Sequence, residues 1–279
     1  MEPLDPVYTF GLYRPLHREL MALLGSLSPS DWLRPTVCAG WAVRDIAAHL
    51  LDVDIRRLSF LRDGLDPVAP GSPIRDHAGL VEYLNGLNAD WIRAARRISP
   101  SVLISLLEIT GPQVASHVEG LDMEAPARFP VGWAGETISL NWFDVGRDYT
   151  ERWHHQQQIR DAVGAPALTS RDWLSPVLAL FVRALPHAYR DAQASAGQRV
   201  ELAIEGEAGG TWSLERQSDG WQLYSGPAGT PACRITMDQD TAWRLFTKGM
   251  DREEARRRVR MEGAAHVGEP LLGALAVMA

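Results

Sequence analysis

Cysteine is scarce in this chain: two among 279 residues, Cys38 and Cys233, far apart and in no CxxC pairing. That excludes a disulfide framework and a cysteine-built structural zinc site, and it fits a reducing compartment, so the expected location is cytoplasmic. Long apolar runs are missing as well. Val177–Val182 is representative, and it is far below the roughly 20 residues that a membrane span requires. The N-terminal MEPLDPVYTF offers neither a basic region nor an apolar core for a signal peptide. Nor is there a basic excess. A net charge of −7 argues against a general nucleic-acid binder. The one dense basic run, Arg256, Arg257, Arg258 and Arg260, is flanked by Asp251, Glu253, Glu254 and Glu262, the pattern of a solvated face. No internal repeat or low-complexity tract is visible.

What is present is a hydrophobic fraction of 46%, enough for a sizeable core, and ten tryptophans, read chiefly as buried rings. The first part has helical period. Helices are predicted over Pro6–Leu27, Val43–Arg62, Ala78–Ile98 and Pro100–Glu119, the last broken or kinked at Gly111-Pro112. A Pro/Gly-rich connection covers Asp66–Pro73, and Pro126–Gly135 reads as an irregular loop or short hairpin. A long helix is expected from Thr137 to Val163, capped by Gly164 and followed by Pro166. After a linker over Ala165–Ser170, a helix from Asp172 to Ser195 is interrupted at Pro186. The period then switches to two. Val200, Leu202 and Ile204, then Trp212 and Leu214, then Trp221 and Leu223 alternate between turn signals, as in a meander of short strands. Ala232–Met237 and Arg258–Glu262 read as further strands, Asp240–Lys248 as a short helix and Glu269–Met278 as a terminal helix. The fold class expected is therefore a helical domain, residues 1–165, followed by a small α+β domain with an antiparallel sheet, residues 166–279.

Within the helices, His49 lies on the side of Ile46, Leu50 and Val53, pointing inward. Far along the chain, Glu151 and His155 stand four apart, on one face of the long helix. Two imidazoles and one carboxylate suit zinc or a similar divalent ion, and three protein ligands leave a coordination position open, as catalytic sites do. A histidine on an apolar face also has a plain packing reading. The flank carrying Asp144, Asp148, Glu151 and His155 reads as surface or as one wall of a pocket between helices. Asp148 has the further reading of a partner orienting a ligand histidine. Trp41 and Trp153 read as packing or pocket walls, Asp45 as a favourable charge in a first helical turn, and Cys38 as a small core residue without a paired base.

Two segments carry a resemblance. Cys38 to Leu50 (CAGWAVRDIAAHL) and Asp148 to Gly164 (DYTERWHHQQQIRDAVG) resemble the paired helices of the mycothiol-dependent maleylpyruvate isomerase family, DinB-like four-helix bundles. The second half, with GEAGGTWSLE, GWQLYSG and ITMD, is similar to the sterol-carrier-protein-like α+β domain that often follows such a bundle. The resemblance implies a zinc or other divalent ion held by His49, Glu151 and His155, with His154 as rival for the last ligand. It also implies mycothiol or a related thiol whose sulfur takes the open position and attacks a small-molecule electrophile, in an isomerase or an S-transferase. A dicarboxylate substrate would need a cationic clamp. Arg244, Lys248 and the run around Arg257 are candidates, and none aligns cleanly. Alternatives of other classes are a non-catalytic metal or small-ligand binding protein and a metal-dependent hydrolase.

Overall fold

The computed structural model describes residues 1–71, 73–75 and 77–277. They gather into two compact units interleaved in sequence. One takes Thr9–Met123 and Glu151–Ala167; the other takes Met1–Tyr8, Glu124–Thr150 and the chain from Leu168 onward. No helix among the described residues is long and apolar enough to cross a membrane.

The first unit is helical. It contains α1 (Tyr13–Ser26), α2 (Val43–Arg56), α3 (His77–Ala95), α4 (Pro100–Glu119) and, from Glu151 on, the second part of α5 (Asn141–Val163). α4 packs on α1 and α2, and α2 also packs on α3. Leu20, Leu24, Val43, Ile46, Leu50, Leu103, Leu107 and Ile159 belong to one buried cluster among them. α4 begins where its residues dictate, with the Ser99 hydroxyl accepting the Val102 N–H and Pro100 in the first turn. It then runs on through Gly111-Pro112, so the helix does not break there. Pro112 removes one backbone donor, which the remaining ladder tolerates. Gly111 serves close approach: a Cβ there would lie 2.2 Å from Cε1 of His17 on α1. α2 stops at Arg56 and passes into a π-helical turn over Arg57–Arg62.

Two helices of this unit are buried on nearly every side. In α2, Asp45 and Asp52 are buried along with the apolar stripe, Asp45 paired with Arg96 and Asp52 with Arg56. In α5, every residue from Trp153 to Arg160 is buried, most of them polar. Gln156 Nε2 donates to the Leu16 carbonyl at 3.2 Å, Arg160 reaches Glu19 and the Pro166 carbonyl, and Arg152 pairs with the buried Asp54. Buried polar groups demand partners, and these contacts supply them for the Gln156 amide and for both Nη groups of Arg160.

The second unit contains the first part of α5. That helix starts at Asn141, not Thr137, because the preceding segment is engaged elsewhere. The Ser139 carbonyl accepts from Ala127 N–H, and the Ser139 hydroxyl accepts from Val131 N–H. The expected helix over Asp172–Ser195 is α6 (Arg171–Phe181), a 3-10 turn over Val182–Ala184 and a short α7 (Leu185–Ala188). The strands are β1 (Arg199–Glu205), β2 (Gly210–Arg216), β3 (Trp221–Ser225), β4 (Cys233–Asp238) and β5 (Arg260–Gly263), in the order β3-β2-β1-β4-β5. The sheet is mostly antiparallel, with one exception: β4 runs parallel to β1, Val200 opposite Cys233 and Ile204 opposite Met237. α8 (Gln239–Phe246) follows β4, capped by the Asp238 carboxylate accepting Thr241 N–H at 2.8 Å. The basic run splits. Arg256, Arg257 and Arg258 end α9 (Arg252–Arg258), which sequence periodicity did not mark, and Arg260 opens β5. The expected terminal helix is replaced by α10 (Ala265–Gly268), a 3-10 turn over Glu269–Gly273 and an extended tail whose Ala276 N–H donates to the Phe246 carbonyl. Met278, the last residue of that expected helix, lies outside the described residues.

Gly263 holds φ at +101°, and a Cβ on it would stand 2.3 Å from the Ala232 carbonyl oxygen. Gly263→Ala is therefore expected to lower stability by about 1–3 kcal/mol. A urea unfolding curve with an unchanged slope and a lower midpoint is the expected outcome.

Candidate metal centre

α2 and α5 meet with three side chains facing one point. Nε2 of His49 and Nε2 of His155 each lie 3.1 Å from the same atom, Oε1 of Glu151. The two imidazole rings stand edge to face, with centroids 4.6 Å apart. One ligand atom from each of the three residues falls within 4.8 Å of the others, a spacing one divalent cation can span. His49 is buried on α2, and His155 is buried one turn after Glu151 on α5, so the i,i+4 spacing delivers both α5 groups to one face. Glu151 keeps 30% of its side chain exposed, which leaves the centre one accessible side.

The donor set fits a hard or borderline cation. Burial, the largest influence, lowers the His49 pKa to about 4, with Glu151 pulling the other way. His49 is thus neutral at pH 7 and holds a lone pair for a metal. For Glu151, burial pushes the carboxyl up, but the neighbouring His155 and the hydrogen bonds of both histidines outweigh it, holding the group well below the usual range. A carboxylate and two imidazoles drawn together in a buried place form a site that a cation would satisfy.

The neighbours sort themselves by contact. His154, the rival ligand, uses Nε2 on the side-chain amide of Gln158 at 3.0 Å; burial, the largest influence, lowers its pKa to about 3. Trp41 stands beside the centre, its ring 5.3 Å from that of His49. Trp153 is fully buried. The Asp45 carboxylate accepts the Ala42 N–H in the first turn of α2. Burial, then the charge of Glu151, push the Cys38 thiol up, the opposite of an activated nucleophile; its Sγ lies 3.3 Å from Oε1 of Gln158. Arg244 and Arg257 belong to the other unit. Arg244 is held by Asp240 and lies over the Trp243 ring at 4.3 Å, while Arg257 is exposed on α9. Gln158 escaped the sequence reading. The signal was available: it sits three residues after His155 and four after His154, on their side of the helix.

Two helices aim two histidines and a glutamate at one point, an arrangement that could hold a metal ion between helices. The chain belongs to the mycothiol maleylpyruvate isomerase family: the model of that family's N-terminal domain matches residues 13–160, more than half of its length. Among solved structures, the mycothiol-dependent maleylpyruvate isomerase is similar at 12% identity and a TM-score of 0.50, over 85% of this chain and 86% of that one. A histidine-to-alanine mutant of that enzyme gives 12% identity and 0.49 over the same shares. An apo sterol carrier protein 2 from Yarrowia lipolytica aligns with 54% of this chain and 98% of its own at 15% identity, with a TM-score of only 0.23. No curated protein matches the sequence.

The lowered pKa values carry a sign. A histidine lowered from 6.5 to about 4 binds its proton more weakly in the folded chain than in the unfolded one. Stability therefore falls as pH drops through that window. The melting temperature of the metal-free protein is expected to decline between pH 6.5 and 4, and His49→Gln, which cannot titrate, should flatten the decline.

Proposed function

We propose that this chain is a metal- and thiol-dependent enzyme, an isomerase or S-transferase acting on a small-molecule electrophile in the cytoplasm. The observation that carries the reading is the convergence of His49, Glu151 and His155 in a chain of this family. These three residues would hold zinc or a similar divalent ion. When bound, such an ion keeps a coordinated thiol in its thiolate form near neutral pH, and mycothiol is the thiol named by the family.

The chain's own residues do the rest. His49, neutral at pH 7, offers nitrogen without first losing a proton. The ionised Glu151 balances part of the cation's charge, and its exposed side leaves room for a ligand to approach. The burial of His49 and His155 keeps water from most of the centre. For a substrate carboxylate, Arg244 and Arg257 are the proposed partners, since a guanidinium binds a carboxylate in bidentate fashion.

The test has two parts. Elemental mass spectrometry of the purified protein should find about one zinc per chain, lost in a His49→Ala/His155→Ala variant. Turnover of maleylpyruvate, or consumption of an electrophile, should then require mycothiol. Metal without thiol-dependent turnover would make the chain a binding protein. Turnover without thiol would make it a hydrolase. A wild type that takes up no metal would overturn the proposal altogether.

A further inference from the structure

Glu151 is the one carboxylate of the centre, and only the two histidines hold it. No other group hydrogen-bonds that carboxylate among the described residues. Its position therefore follows from how α5 is rotated and how far it is slid against α2. The next residue, Arg152, points about 100° further round the helix and is fixed from other helices. Its guanidinium pairs with Asp54 on α2, five residues after His49. The Asp54 carboxylate, 1% exposed, also accepts the Thr110 hydroxyl from α4. The same guanidinium lies over the Tyr13 ring of α1, 5.6 Å from its centroid. Leu50, Arg152 and Gln156, each directly after one of His49, Glu151 and His155, line one cavity together with Asp54. α2 and α5 thus meet twice, at the centre and again one step round at a buried ion pair.

We propose that Asp54 and Arg152 are positioning residues for the centre: their ion pair sets the rotation of α5 against α2 and so holds the Glu151 carboxylate within reach of His49. The inference rests on the metal reading of that centre. A buried ion pair adds little net stability, because desolvating two charges offsets their attraction, and replacing both by apolar groups is often neutral. What the pair supplies is direction, since a guanidinium fork and a carboxylate meet well in few orientations. That direction passes through one peptide unit of α5 to Glu151, and through little more than a turn of α2 to His49. Glu151 and His155 share α5, so a turn of that helix carries both away from His49 together. The contact of Glu151 with His155 survives such a turn, and its contact with His49 does not.

The experiment compares the full-length wild type with Asp54→Leu/Arg152→Met, which removes both charges at once. The cavity beside them leaves room at position 54, and the Thr110 hydroxyl keeps the Leu106 carbonyl as an acceptor. Three quantities are read: the urea midpoint, the zinc affinity from chelator competition, and the crystal structure of the metal-free protein. The expected variant has a midpoint at or above that of the wild type and binds zinc about 10-fold more weakly or worse. Its His49–Glu151 contact is open and its Glu151–His155 contact is kept. Unchanged zinc affinity, or an unchanged His49–Glu151 contact, would overturn the proposal. So would a loss of affinity that merely accompanies a matching fall in the midpoint, the mark of a structural pair. Should the double variant not fold, Thr110→Val takes its place, removing only the brace on Asp54: weaker zinc binding supports the proposal and equal affinity sinks it. The metal-free structures need no zinc. A wild type that takes up none, beside a variant whose His49–Glu151 contact opens, would be a failure of the metal reading and not of the positioning role.

Discussion

Glu151 faces two imidazoles through a single oxygen, in a place where water can do little to screen them. Much of the helical unit answers to that arrangement. A carboxylate can be kept ionised beside buried histidines only if the helices bearing them are fixed, and the polar contacts of α5 fix them. Arg152 holds Asp54 of α2, Gln156 holds the backbone of α1, and Arg160 holds Glu19 and Pro166. Each contact is costly to leave unmade in the interior, so each narrows the ways α5 can sit. The apolar cluster of leucines and valines supplies cohesion. The polar contacts supply register, and register is what a metal site needs.

The helices were legible because hydrophobic period and caps announce them. Ser99-Pro100 starts α4, and Gly164 ends the stretch after α5. The alternating strands β1 to β3 were legible for the same reason. What could not be read was whatever depends on a distant partner. Gly111-Pro112 looks like a break until His17 is seen against it. The parallel pairing of β4 with β1 has no period of its own, since alternation looks the same in either direction. The C-terminal tail has helical composition, yet it gives a backbone donor to Phe246.

The site divides along the same line. His49, Glu151 and His155 were found from a face, a spacing and a resemblance, all local signals. Whether the flank of α5 carrying Glu151 and His155 is surface or a pocket wall stayed open in the sequence, because a helix buried on nearly every side carries no apolar stripe to reveal it. Its polar residues resemble surface residues in sequence and are told apart only by their partners. Gln158 was passed over on that account, although its spacing from both histidines was visible.

The pairing of β1 bears on how the sheet must be assembled. β1 lies at its centre, and its hairpin partner β2 follows within a few residues, so one edge is covered early and locally. The other edge waits for β4, which arrives only after β2 and β3 have been passed. Until then Val200, Leu202 and Ile204 line a half-paired strand whose free backbone groups can recruit any extended chain nearby. The interval between synthesis of β1 and docking of β4 is thus one in which a central strand of the sheet stands with one edge open to aggregation.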